Sequence, residues 1–149
     1  MPTVEKVSRT DAGLASELRV SVMRLRRRLT SERDPANDLS IAMMAVLGSL
    51  FRYGELTVGE LAGLERMQPP TMTRKVNLLV EGGYLARRAH DTDGRVVVVS
   101  LTELGRGRVV ADRKRRDEWL VRQLSDLTPE ERGVLRAAAP ILQRLSEQD

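Results

Sequence analysis

The stretch LLVEGGYLARRAHDTDGRVVVVSL, residues 78–101, constrains the fold more than any other. Before the paired glycines, Gly82 and Gly83, apolar residues recur every three or four positions, the period of an amphipathic helix. After them YLARRA and VVVVSL read as strands, and the polar link HDTDGR carries a central glycine. A helix therefore ends at the glycines and a β-hairpin follows it.

The rest of the chain reads as helix. In DAGLASELRVSVMRLRRRL, from Asp11 to Leu29, the residues Leu14, Leu18, Val22, Leu25 and Leu29 form one apolar stripe opposite an arginine-rich face. Thr30-Ser31 to Pro35-Ala36-Asn37-Asp38 has loop composition. Ser40 then suits the N-cap of a second, apolar helix, IAMMAVLGSLFRYG, closed by Gly54. Thr57 and Glu60 have capping-box spacing ahead of Leu61, Ala62 and Leu64. Met67-Gln68-Pro69 breaks that helix, because a residue before proline is pushed out of the α region. PPTMTRKVNLL begins the next, with proline tolerated in the first turn. A long helix is expected from Thr102 to about Leu124. Thr128, Pro129 and Glu131 restart a last one that carries Leu135, Ala138, Ala139, Leu142 and Leu145.

The order is α-α-α-α-β-β-α-α: mainly α with a small β-hairpin. Two short helices joined by a tight turn, then a hairpin, make a winged helix-turn-helix. It is expected over residues 39–101, flanked by long N- and C-terminal helices in 1–38 and 102–149.

Composition narrows the chemistry. The 149 residues carry a net charge of +4, which favours phosphates, anionic lipid or acidic proteins as partners. With no cysteine there is no disulfide, thiolate nucleophile or thiol sensor. One histidine and no cysteine argue against a metal site, and no cofactor is expected. Neither G-x-x-x-x-G-K-[ST] nor G-x-G-x-x-G occurs, so an enzyme is not expected. MPTVEKVSRTDAG has no apolar h-region and no window is long and apolar enough for a membrane span; the expected location is the cytoplasm. Aromatics make up 3% of the chain, too few to favour stacking on single-stranded bases.

Helical spacing turns Thr71, Arg74, Lys75 and Leu78 away from Met72, Val76, Leu79 and Val80. The first set offers hydroxyls and cations, which suit base edges in a major groove. Gln68, Pro70, Thr71, Thr73, Arg74 and Lys75 are the expected contacts, with the helix N-terminus offering free N–H groups to phosphates. In the hairpin, Arg87, Arg88 and Arg95 stand beside the turn, where a wing arginine can enter the minor groove. Asp91 or Asp93 can hold Arg95 by a charge-assisted bond. The plainer reading is a solvated helix face and an ordinary charged turn. His90, alone in the wing loop, is either a phosphate contact or idle. Trp119 suits packing at a junction. The cation runs Arg24–Arg28 and Arg113–Arg116 either attract DNA at long range or pair with Glu17, Asp117 and Glu118.

LTVGELAGLERMQPPTMTRKVNLLVEGGYLARRAHDTDGRVVVVSLTELGR resembles the DNA-binding core of the MarR family of bacterial transcriptional regulators. The most specific piece is the D-x-D-x-R wing formed by Asp91, Asp93 and Arg95. The resemblance implies a homodimer whose first and last helices interleave across a two-fold axis, and the sequence supplies Leu14, Leu18, Leu135, Ala138, Leu142 and Leu145 for such an interface. Such a dimer would present two recognition helices to double-stranded DNA with half-sites about one helical turn apart. The resemblance also implies release by a small aromatic or anionic ligand between the dimer helices and the wing domain. Met43, Met44 and Leu47 could line such a pocket and Arg87 could meet an anion; the bland alternative is plain core. A rival to the DNA reading is a winged-helix protein-interaction module, in which Arg74, Lys75 and Arg95 bind an acidic partner.

Overall fold

Hydroxyl side chains start five of the six helices among the described residues. Each accepts a hydrogen bond from an amide of the first turn, which would otherwise lack a partner. The computed structural model describes residues 9–148, so the opening part of the stretch read for a signal peptide lies outside them. Helix α1 spans Asp11–Ser31 behind Thr10, and α2 spans Ile41–Tyr53 behind Ser40. Strand β1, Leu56–Thr57, leads directly into α3, Val58–Leu64. Next come α4, Pro69–Glu81, then β2, Leu85–Ala89, and β3, Val97–Leu101. Helix α5, Glu103–Ser125, begins at Thr102, and α6, Pro129–Ser146, begins at Thr128 with both halves of a capping box.

The expected architecture is therefore present, with two differences. The first is β1. A two-residue strand carries no periodicity, yet its pairing of Leu56 with Val99 makes the sheet three-stranded and antiparallel, in the order β1-β3-β2. Thr57 thus serves as both a strand residue and the α3 cap. The second is the end of α1, which runs beyond Leu29 to Ser31. There the Thr30 hydroxyl donates to the Arg26 carbonyl and the Ser31 hydroxyl to the Arg28 carbonyl, so side chains that favour loops are turned back onto the helix.

The hairpin register runs from Leu85 opposite Leu101 to Ala89 opposite Val97, which leaves β2 on the outer edge of the sheet. Its Leu85 points inward; the next four residues are exposed. Behind the sheet lies one core, to which α2 gives Val46, Leu47 and Leu50, α3 gives Leu61 and Ala62, and α4 gives Met72, Val76 and Leu79. Val99 and Val109 close it from β3 and α5. Burying a residue of this size contributes about 1.5–3 kcal/mol, so the core fixes how α4 sits relative to the hairpin.

Helices α1 and α6 contain no buried residue. Leu14, Leu18, Leu135, Leu142 and Leu145 lie exposed, while Ala138 is half-buried. No helix among the described residues is long and apolar enough to cross a membrane.

Candidate nucleic-acid interface

The turn between α3 and α4 sets the position of the second helix. Arg66 adopts a positive φ of 50°, and the Met67 amide returns to the Ala62 carbonyl at 2.9 Å. This left-handed residue reverses the chain within a few positions. Helix α4 then buries Met72, Val76 and Leu79, with Val80 half-buried beside them. Gln68, Pro70, Thr73, Arg74 and Leu78 are exposed, and Thr71 and Lys75 are half-buried at the margin. This is the division expected from helical spacing.

One expectation for α4 needs correction. Its N-terminus is expected to offer free N–H groups, but Pro69 and Pro70 occupy the first two helical positions and have none. Met72 already donates within the helix, to the Gln68 carbonyl at 3.1 Å. The first turn therefore offers the Thr71 amide. Gln68 provides no side-chain cap. Thr73 donates its hydroxyl hydrogen to the Pro69 carbonyl at 3.0 Å, so outward it presents a methyl group and lone pairs. Such a side chain suits a thymine methyl or an exocyclic amine better than a phosphate.

The wing tip is a small self-bonded loop. His90 donates its amide to the Val96 carbonyl at 2.9 Å, and Val96 donates to the Asp93 carbonyl at 3.0 Å. His90 Nδ1 accepts from the Thr92 amide at 3.3 Å and the Asp93 amide at 3.4 Å, a turn-stabilising part that sequence reasoning missed. Of the two candidate partners of Arg95, Asp93 is the one that meets it. Its Oδ1 accepts from the Arg95 amide at 3.1 Å and from Nε at 3.3 Å. The Arg95 side chain is otherwise 92% exposed.

Asp91 pairs instead with Arg88, at 3.1 Å, and Arg88 also reaches Glu55 at 2.8 Å. The hydrogen bond to Glu55 raises the Arg88 pKa further above its ordinary value, with the charges of Glu55 and Asp91 assisting and burial opposing. Arg88 thus ties the base of the wing to the segment ahead of β1. Arg87, on the same strand, donates to the Asn77 side-chain carbonyl of α4.

Of the expected partners of the cation runs, Glu118 is met; the other ion pairs of the 113–116 run go to Asp112 and Asp34. Arg116 and Lys114 meet Asp112 and Glu118, each at 3.9 Å, and Arg115 meets Asp34 at 3.9 Å. Arg28 lies 4.8 Å over Trp119, and Arg113 lies 4.3 Å over Phe51. Asp112 itself, 1% exposed, accepts from Asn37 Nδ2 at 3.2 Å. Asn37 Oδ1 in turn accepts from the Leu39 amide at 3.1 Å. This buried pair joins the α1–α2 loop to α5. The signal for it was helical spacing, since Gly105, Val109 and Asp112 share the buried face of α5.

An apolar crevice of about 540 Å³ opens between α1, α2, α5 and α6, with Arg26, Arg33, Arg113 and Arg116 on its lining. Of the three residues considered for a pocket, Met44 lines it. Leu47 is fully buried and Met43 packs against the core. Arg87 lies elsewhere, beside α4.

Comparisons with known proteins agree with this geometry. The MarR family profile matches residues 39–97. A helix-turn-helix-type transcriptional regulator of Mycobacterium bovis is 41% identical over 139 residues, covering 93% of this chain and 96% of the relative. A Pseudomonas aeruginosa crystal structure superposes with a TM-score of 0.82 at 36% identity, covering 95% and 99% of the two chains. At the level of fold, Streptococcus pneumoniae FabT in complex with DNA gives a TM-score of 0.67 at 20% identity, covering 92% and 98%. Helix α4 packed with α2 and α3 in one core, a three-stranded antiparallel sheet and these matches along almost the whole chain lead to one assignment: the chain belongs to the MarR family of helix-turn-helix transcriptional regulators.

Proposed function

We propose that two copies of this chain bind a pseudo-palindromic operator in double-stranded DNA and repress transcription by occupying it. The observation that carries this reading is a shared cleft. Thr73 and Asn77 of α4 and Arg87 and Arg95 of the hairpin line one groove, so the helix and the wing are neighbours that one duplex can meet together.

In this reading Gln68, Pro70, Thr71, Thr73, Arg74 and Lys75 face the major groove. Arg95 enters the adjacent minor groove, aimed by Asp93. Arg88 stands at the wing base, where Glu55 and Asp91 hold it. The exposed leucines of α1 and α6, with Ala138, supply the homodimer interface, and a two-fold dimer sets the half-site spacing. The apolar crevice with its arginines suits a small organic anion whose binding releases the operator. The protein would act in the cytoplasm.

Selection from a random duplex pool with purified protein tests the central claim. A common palindromic motif, bound far more tightly than its scrambled version and weakened steeply by salt, is the expected result. Equal retention of every duplex would instead favour the winged-helix protein-interaction module. Leu142→Glu tests the dimer: sedimentation should show monomers, and operator binding should fall with them.

A further inference from the structure

The cleft between α4 and the hairpin measures about 560 Å³, and its lining holds two guanidiniums, Arg87 and Arg95, and no carboxylate. Arg87 reaches from β2 to the Asn77 side-chain oxygen on α4. That bond joins the element proposed for the major groove to the element proposed for the minor groove. Any duplex that receives a helix in one groove and a wing in the next has a sugar-phosphate strand running between the two. The surface that this strand must cross is the cleft.

We propose that Arg87, aimed by Asn77, seats one phosphate of that intervening strand in each half-site. The inference rests on the duplex-binding reading above. A guanidinium has five N–H donors in a fixed fork. One bond to Asn77 sets its direction and leaves the others for phosphate oxygens, which a guanidinium meets in bidentate fashion. Thr73 lines the same cleft but has already donated its hydroxyl hydrogen to Pro69, so it adds no donor. Arg87 in this role sets affinity and register rather than sequence preference.

The test uses a duplex recovered by selection, gel shifts over a range of salt, and single methylphosphonates placed along each strand. Arg87→Gln should weaken binding about tenfold or more. It should lower the salt exponent by about 0.9 for each half-site while the preferred sequence stays the same. Wild-type protein should lose affinity on neutralisation of one phosphate per half-site, and Arg87→Gln should be indifferent to that same change. Arg87→Lys should recover the exponent and part of the affinity. Asn77→Ala should weaken binding, and the Asn77→Ala, Arg87→Gln pair should be no weaker than Arg87→Gln alone. Arg87→Gln with the wild-type exponent, or with wild-type methylphosphonate sensitivity, overturns the seat while duplex binding stands. Wild-type protein that retains no duplex overturns the seat and the reading beneath it.

Discussion

The α-carbon of Gly105 presses against the backbone carbonyl of Tyr84. A Cβ at Gly105 would overlap that oxygen, and it would come within 3.1 Å of the carbonyl carbon and 3.0 Å of Leu101 Cδ2. The same carbonyl accepts from the Thr102 amide at 3.2 Å, so it has no freedom to withdraw. Gly105→Ala should therefore destabilise the protein by about 1–3 kcal/mol, as overpacking does, despite alanine's better helix propensity. At Gly107, two residues on, a Cβ would meet nothing within 4 Å. Gly107→Ala should stabilise by about 0.5–1 kcal/mol. Urea unfolding of the two variants checks the pair, and midpoints moving in the same direction would sink the argument.

Arg95 is the exposed end of the wing, so its removal should be felt in binding and not in folding. Arg95→Ala should weaken operator binding more than tenfold, roughly 1–3 kcal/mol, with an unchanged unfolding midpoint. Unaltered affinity in a gel shift would remove Arg95 from the interface. Arg74→Ala, on α4, should erase discrimination among related operators; a uniform fall across sequences would mark it as a phosphate contact instead.

Arg88 carries the same charge as Arg95 but has two carboxylates against it, Glu55 and Asp91. Its charge is already answered within the protein. Arg88→Ala should lower affinity by loosening the wing base while the salt exponent stays near the wild-type value. Arg95→Ala should reduce that exponent. Gel shifts over a salt series compare the two, and a reduced exponent for Arg88→Ala would make it a direct phosphate contact.

Asp112 is buried and bonded to Asn37, so Asp112→Ala leaves the Asn37 amide nitrogen with only a weak sulfur acceptor, Met44 Sδ at 3.4 Å. The expected loss is about 1–3 kcal/mol in chemical denaturation. Because the pair links the α1–α2 loop to α5, operator affinity should fall as well. A variant as stable as wild type would show that water replaces the carboxylate.

Most of the fold is legible from local rules. Ser40, Thr57 and Thr128 each cap the helix that their position suggests, and the glycines after α4 end it where the period changes. The misses are of a different kind. Asp112 shares the helical spacing of Gly105 and Val109, but its partner Asn37 stands on a distant loop that this spacing does not name. Glu55 lies 33 positions from Arg88, so nothing local marks the pair. Strand β1 exists because β3 offers it a ladder, not because Leu56 and Thr57 prefer one. The two prolines of α4, by contrast, are a local feature, and their missing amides follow from the sequence alone.

The outer position of β2 has a consequence beyond recognition. An unpaired strand edge is a template on which other chains can add, and its danger grows with its length and flatness. Here the strand carries Arg87 and Arg88 in succession, and Arg87 has no carboxylate against it among the ion pairs of the described residues. Repulsion between the Arg87 guanidiniums of approaching molecules deters stacking of wing upon wing, so a residue assigned to nucleic acid also guards the free protein against aggregation.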